Sequence, residues 1–265
     1  MHTKSVQIRK YKGDTFQDTT DLLAVEEPLE IRVEYGPLKQ RKSKNISITM
    51  RTPGADEDLA VGFLFTEGIV RQAGDVFSVK GWDDNLVTVS LQPDFSFDVQ
   101  KLERHFYTSS SCGVCGKGSL DAVRTTVSAE CLLQETPWEI RPEVIYSLPE
   151  KLRSAQETFD ATGGLHACAL FDSEGNLLAS REDVGRHNAL DKLIGHYVRN
   201  VQVPLNQHIL MLSGRASFEL LQKAAMAGIR CVCAVGAPSS LAVETAKEFG
   251  IVLVGFLREG RFNVY

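Results

Sequence analysis

The residues best suited to chemistry lie in Ser109-Ser110-Ser111-Cys112-Gly113-Val114-Cys115-Gly116-Lys117-Gly118-Ser119, where two thiols stand at C-x-x-C spacing among Ser and Gly. Small residues leave the backbone free and cannot pack a core around the sulfurs, so the thiols are expected to be reachable. Lys117 puts a positive charge close by, and a helix is predicted to begin near Ser119. Both favour the thiolate, which is the nucleophilic form. A nucleophilic sulfur on a pliant arm suits carrying an atom between two sites better than catalysis at fixed geometry.

Other chemistries share this spacing. A zinc site needs about two further ligands. Cys231 and Cys233 fall on one strand face and could supply them in principle, although their apolar surroundings suit buried structural thiols. A dithiol redox site would follow a strand in a compact βαβ unit, and Phe106-Tyr107-Thr108 leading into three Ser makes a poor strand end. Cys131 and Cys168 read as small core residues. Gly116-Lys117 is not a phosphate loop, because that pattern requires Gly at 111 and Ser or Thr at 118, where Ser111 and Gly118 stand.

Two further groups lie in the second half of the chain. Ser213-Gly214-Arg215-Ala216-Ser217-Phe218, Gly236-Ala237-Pro238-Ser239-Ser240 and Leu257-Arg258-Glu259-Gly260-Arg261 each follow an apolar run. Ligands of open α/β sheets bind beyond the carboxyl ends of the strands. Helix N-termini there, joined by Arg215, Arg258 and Arg261, would suit a phosphorylated ligand. Alternatively, Ser213 and Ser239 only cap helices and the arginines are solvated. The last group is Glu182-Asp183-Val184-Gly185-Arg186-His187-Asn188 with Gly163-Gly164-Leu165-His166. Asp183 is expected as a helix N-cap, and Arg186, His187 and Asn188 line a polar pocket with His166 unless they are merely satisfied polar residues. Neither H-x-E nor P-C-x-x-C occurs, which disfavours a zinc deaminase.

The elements that must position these groups follow from apolar period. Leu29–Tyr35 alternates apolar and charged residues and is predicted as a half-buried strand, as are Asn45–Met50 and Leu86–Leu91. Thr52-Pro53 before Asp56, Glu57 and Asp58 predicts a helix opened by Pro53, with Leu59, Phe63 and Leu64 inward and Gly68 as its stop. Pro142 and Pro149 are each expected to open a helical segment, the second ending at Thr162-Gly163-Gly164. His166–Phe171 and Leu177–Ala179 flank a hairpin turn at Ser173-Glu174-Gly175-Asn176. Beyond it, helices from about Asp183 to Tyr197, after Arg215 and after Pro238 alternate with strands at Ile209–Leu212, Ile229–Val235 and Ile251–Phe256. Such alternation predicts a sheet covered on both faces.

The 265 residues suffice for one large or two modest domains, and a boundary is expected near Thr136-Pro137-Trp138. A composition 43% hydrophobic and 24% charged is that of a globular chain. The net charge of −5 argues against a dedicated nucleic-acid binder. Met1–Asp14 lacks the apolar core of a secretory signal, and no apolar run nears the ~18 residues of a membrane span. Six Cys is far from a disulfide scaffold, so reduced thiols in a cytoplasmic protein away from membranes are expected. There is no internal repeat.

Taken together, these segments resemble the FdhD/NarQ family, the formate dehydrogenase accessory sulfurtransferases. The matching residues are Glu26-Glu27-Pro28-Leu29, Thr52-Pro53-Gly54 with Asp58-Leu59-Ala60, Ser109–Leu120, Thr162-Gly163-Gly164 with His166, and Glu182–Asn188 with Asp191-Lys192. They continue through Ser213-Gly214-Arg215, Gln222-Lys223-Ala224, Ala237–Ala242 and Arg261-Phe262-Asn263-Val264-Tyr265. Gly236 stands where the family usually has a small residue such as Ser, and Cys168, Cys231 and Cys233 are peculiar to this chain. The resemblance implies a homodimeric sulfur carrier. It would take sulfane sulfur from a cysteine desulfurase and pass it to the molybdenum (or tungsten) bis-guanine-dinucleotide cofactor, before that cofactor enters formate dehydrogenase. By position, Cys112 would hold the persulfide and Cys115 would be the secondary thiol. Phe256-Leu257-Arg258-Glu259-Gly260-Arg261 would belong to a guanine-nucleotide pocket for which GDP is a mimic, with no cofactor permanently bound. The implied fold is α/β (α+β overall). Residues 1–137 form a smaller mixed α+β domain ending in the C-x-x-C loop, and residues 138–265 form a three-layer αβα domain similar to the cytidine deaminase fold without its zinc. Two alternatives share the sequence features: a cofactor chaperone that moves no sulfur, and a C-x-x-C disulfide oxidoreductase.

Overall fold

The structure is a computed structural model that describes residues 2–82, 85–96 and 138–265. Strands β1 (Thr3–Lys12) and β2 (Thr15–Ala24) form a two-stranded hairpin turning at Gly13, whose φ is 61°. Its side chains are largely exposed on both faces, so no alternation marked it in the sequence. β3 (Glu27–Tyr35), β4 (Lys42–Arg51), β5 (Val76–Trp82) and β6 (Leu86–Leu91) make a sheet in the order β4-β3-β6-β5, parallel only between β3 and β6. The alternation in β3 does what it predicts: Leu29, Ile31 and Val33 are buried, beside Val87, Val89 and Leu91 of β6.

Helix α1 (Asp56–Thr66) begins later than expected. Gly54 and Ala55 take φ of 105° and 52°, values a right-handed helix excludes, so Pro53 lies before the helix instead of opening it. Asp56, Glu57 and Asp58 occupy the first turn, as their charge predicts. Leu59 and Leu64 are buried, and Gly68 turns the chain away with φ 71°.

In the second half, β7 (His166–Phe171), β8 (Leu177–Asp183), β9 (Ile209–Leu212), β10 (Cys231–Ala234), β11 (Val252–Arg258) and β12 (Arg261–Val264) form one sheet in the order β12-β11-β10-β9-β7-β8. Only β9, β10 and β11 run parallel. Ala167, Ala169, Phe171, Ile209, Met211, Cys231, Cys233 and Val254 face helix α2 (Pro142–Ser154), which buries Ile145, Leu148 and Leu152 against them. Cys168, Leu170, Leu210, Leu212, Val232 and Leu253 face the opposite layer of α4 (Arg186–Arg199), α5 (Phe218–Met226) and α6 (Ser240–Glu248). Three layers result, as continuous apolar strands require.

Local expectations shift in four places. Pro149 lies inside α2, and the break falls after Ser154, where a short α3 (Glu157–Thr162) follows and ends on Gly163 at φ 67°. Asp183 is the last residue of β8; Gly185 caps α4 instead. The apolar strand of the third βα unit is only Cys231–Ala234. The last strand, expected to end at Phe256, runs on to Arg258 and returns through a bulged hairpin to β12 at Arg261.

Helices α1 and α4 cross with their backbones in contact. A Cβ at Gly62 would overlap Asp191 O, and one at Gly195 would overlap Asp58 O. α1 and the four-stranded sheet therefore share one apolar core with α4 and α5. The expected boundary at residues 136–138 sits where the described residues resume.

Candidate functional site

Parallel pairing sends the carboxyl ends of β9, β10 and β11 to one edge of the six-stranded sheet. β7 runs the other way, so its first residue, His166, lies at that same edge, paired with Asp183 at the end of β8. The turns beyond these ends are stitched together. Ser213 N donates to Ala167 O (3.0 Å) while its Oγ accepts from Ala167 N (2.9 Å). Gly236 N donates to Gly214 O (2.8 Å), and Phe256 N donates to Gly236 O (3.1 Å). Gly236 lets the two turns approach closely: a Cβ there would come within 2.9 Å of Arg215 N and Cα, and a larger residue would need the Arg215 backbone to shift. Ser239 caps α6, its hydroxyl accepting from Ala242 N at 3.2 Å.

Phe256 has φ 52°, a conformation costly for a bulky side chain, and its ring is about half exposed at this edge. Leu257 is fully buried on the α2 side. Arg258 folds its guanidinium back over the strand ends and donates to Val235 O (2.7 Å) and Leu257 O (2.8 Å). Glu259 and Gly260 form the exposed hairpin turn, with Gly260 at φ 71°, and exposed Arg261 opens β12 opposite Arg258.

The Glu182–Asn188 segment divides by role. Glu182 accepts from Thr158 N and Phe159 N and so caps α3. The Asp183 carboxylate, 0% exposed, is saturated: Lys192 at 2.7 Å, Thr52 N at 3.1 Å, Gly185 N at 2.8 Å and Asn188 Nδ2 at 3.1 Å. Asn188 also donates to Met50 O and accepts from Thr49. These residues tie the two halves of the chain together. Arg186 and His187 differ. They occupy the first turn of α4, the positive end of its dipole, and with exposed Arg215 they surround His166 with positive charge. Burial first, then the charges of Arg186, His187 and Arg215, lower the His166 pKa, against a smaller opposing pull from Asp183. Gly214 lies beside the ring: a Cβ there would be in ordinary contact with His166 Nδ1 at 3.5 Å. Arg186 Nε and Ser217 Oγ are buried without a hydrogen-bond partner among the described residues.

Sequence reasoning missed Glu219. Its Oε2 lies 2.7 Å from His187 Nε2, one turn into α5. Burial alone would raise its pKa, but the His187 contact and the charges of His187, Lys223 and Arg186 outweigh it and hold the carboxylate below its ordinary range. One turn further, Lys223 donates to both Asp191 oxygens (2.9 Å) and to Thr66 Oγ1 (2.8 Å). Burial disfavours its charge, yet Asp191, Glu67 and Glu219 keep it protonated. A His187–Glu219 pair and an Asp191–Lys223 pair thus run along the α4–α5 interface from the edge inward. Only the 187/191 and 219/223 i,i+4 spacing foreshadowed it.

Cys231 and Cys233 are fully buried, and the hydrogen bond with Cys231, together with burial, raises the Cys233 pKa; burial also pushes up Cys168. Among the described residues no three His, Cys, Asp or Glu side chains stand close enough to hold a metal ion. A cleft of about 390 Å³ lined by Trp138, Arg141, Glu174, Gln207 and Arg230 lies at the opposite edge of the sheet, by the start of β9 and β10. Cys112, Cys115, Cys131 and Lys117 lie outside the described residues. Among the described residues, no helix is long and apolar enough to cross a membrane.

The FdhD/NarQ family model matches residues 24–265. A protein of Streptomyces avermitilis named sulfur carrier protein FdhD is 50% identical over 99% of this chain and 92% of its own length. A protein of the same name from Sulfurisphaera tokodaii is 41% identical over 100% of this chain and 97% of its own. The fold is similar to a crystal structure from Desulfotalea psychrophila, named as a formate dehydrogenase accessory protein, with TM-score 0.75, 21% identity and coverage of 100% and 97%.

Proposed function

This chain belongs to the FdhD/NarQ family, and on that premise we propose that it is a sulfur carrier serving formate dehydrogenase. The observation that carries the reading is full-length similarity to proteins named as sulfur carriers, in a chain that offers Cys112-x-x-Cys115 among Ser and Gly. The Cys112 thiolate attacks the terminal sulfur of a persulfide on a cysteine desulfurase. A new S–S bond forms at Cys112, the donor S–S bond breaks, and the donor thiolate leaves with its electron pair. Lys117 favours the anion at each stage.

The substrate that receives the sulfur is the molybdenum (or tungsten) bis-guanine-dinucleotide cofactor. Delivery of the outer sulfur as a sulfido ligand requires two electrons. A second thiolate supplies them by attacking Cys112 Sγ, forming a disulfide as the sulfur leaves. Cys115 is that thiol, and an external thiol replaces it at lower rate. The sheet edge carrying His166, Arg186, His187, Ser213, Gly214, Arg215, Ser239 and Phe256–Arg261 takes the nucleotide, its cations offsetting the −5 charge of the whole chain for an anionic ligand. The protein acts as a homodimer in the cytoplasm.

Intact mass after incubation with a cysteine desulfurase and cysteine tests the chemistry: one added sulfur on the native chain and none on Cys112→Ala. Formate dehydrogenase activity in cells is expected to fall severely with Cys112→Ala and less with Cys115→Ala. Equal losses would make the protein a disulfide oxidoreductase, and no loss from either a chaperone.

A further inference from the structure

His166 is poorly placed to be only a neutral core residue. It sits half-buried at the first position of β7, with Gly214 against its ring. The charged groups facing it come from three elements. Asp183 ends β8, Arg186 and His187 open α4, and Arg215 lies between β9 and α5. Asp183 is already bound by Lys192 at 2.7 Å, and His187 by Glu219 at 2.7 Å. Arg186 and Arg215 have no carboxylate within ion-pair distance among the described residues, and Arg186 Nε lacks a hydrogen-bond partner there. Among the described residues, this edge therefore holds arginine charge with no carboxylate at ion-pair distance.

We propose that His166 takes up a proton when a phosphate-bearing ligand settles against Arg186, His187 and Arg215, so that binding of the anion and protonation of this one imidazole are coupled. The inference rests on the reading that this edge takes a guanine nucleotide, and adds a role that the reading does not require. Without ligand, burial and the surrounding cations keep the ring neutral. A diphosphate brought among those cations cancels their field at the ring and offers an acceptor for its N–H. Both effects favour imidazolium. The linkage sign is fixed: a complex that binds an extra proton tightens as pH falls, by up to ~10-fold per pH unit for one linked proton. Glutamine at 166 removes the titrating group, so any GDP binding that remains carries no proton uptake from this position.

Calorimetric titration of the full chain with GDP, at one pH near neutrality in two buffers of different protonation enthalpy, reads the proton directly. Native protein is expected to take up a substantial fraction of one proton per GDP beyond His166→Gln, the difference cancelling protons exchanged by the phosphates themselves. Affinity should rise from pH 8 to pH 6.5 more steeply in the native chain than in the variant. Carbon-13 NMR of labelled histidine gives a second readout without mutation: on adding GDP at neutral pH, one imidazole shifts to its protonated position. GDP binding with equal proton uptake in both proteins, or with every imidazole unshifted, overturns the inference and leaves the nucleotide site standing. No GDP binding by the native chain overturns the nucleotide site, and the inference with it.

Discussion

Two ends of the α4–α5 interface hold charged residues of the same kinds, and they have opposite fates. Inward, Asp191, Lys223 and Thr66 close on one another, and Asp183, Lys192 and Thr52 do the same nearby. Each buried charge there has an opposite charge and hydrogen bonds in place, which is the condition for keeping it buried at all. At the sheet edge, His166, Arg186 and Arg215 have no such closure among the described residues. The lesson is that a charged motif by itself does not mark a site. Surplus charge after internal pairing does, because surplus is what a ligand can still neutralise.

The contrast can be broken in order of effect. Lys223→Met leaves Asp191 buried and uncompensated and is expected to cost about 3–5 kcal/mol of stability, read as a lower urea midpoint. Pairing it with Asp191→Leu should recover part of the loss; no recovery would mean the two charges do not act as a pair. Arg186→Met, at the other end, should leave the urea midpoint nearly unchanged while weakening GDP binding by about 1.5–3 kcal/mol, the worth of a charged hydrogen bond. A large stability loss from Arg186→Met would erase the distinction between the two regions. Gly195→Ala pushes α4 off Asp58 O and should destabilise by about 1–3 kcal/mol despite the better helix propensity of Ala.

The smallest effect is pH dependence. His166 is lowered, so the unfolded chain takes up its proton first, below about pH 6.5, and stability is expected to decline as pH falls through that range. Glu219 is also lowered, so the stability it lends is present above the ordinary carboxylate range and lost below it. His166→Gln should flatten the decline between pH 7.5 and 5.5 in thermal melts, and bound GDP should flatten it in the native chain.

Much of the architecture was legible because short-range rules govern it. Leu86–Leu91 and Ile209–Leu212 announce themselves as strands by apolar pattern, and the turns after Leu212 and Ala234 open helices as their Ser and Pro residues suggest. The failures have equally local causes. The β1–β2 ribbon is exposed on both faces and so carries no burial period, and positive φ at Gly54 and Ala55 delays α1 in a way residue types do not show. Asp183 has the side chain of an N-cap, but β8 extends through it and turns its carboxylate to Lys192.

The sequence by itself determined the chemistry on offer: a C-x-x-C pair beside Lys117 in a run of Ser and Gly, and apolar runs whose period dictates a covered sheet. Tertiary structure decided which charges remain available. Thr52 meets Asp183 and Thr66 meets Asp191 across more than a hundred residues of chain. Neutralisation depends on distance in space and on burial, and neither is encoded in spacing along the chain.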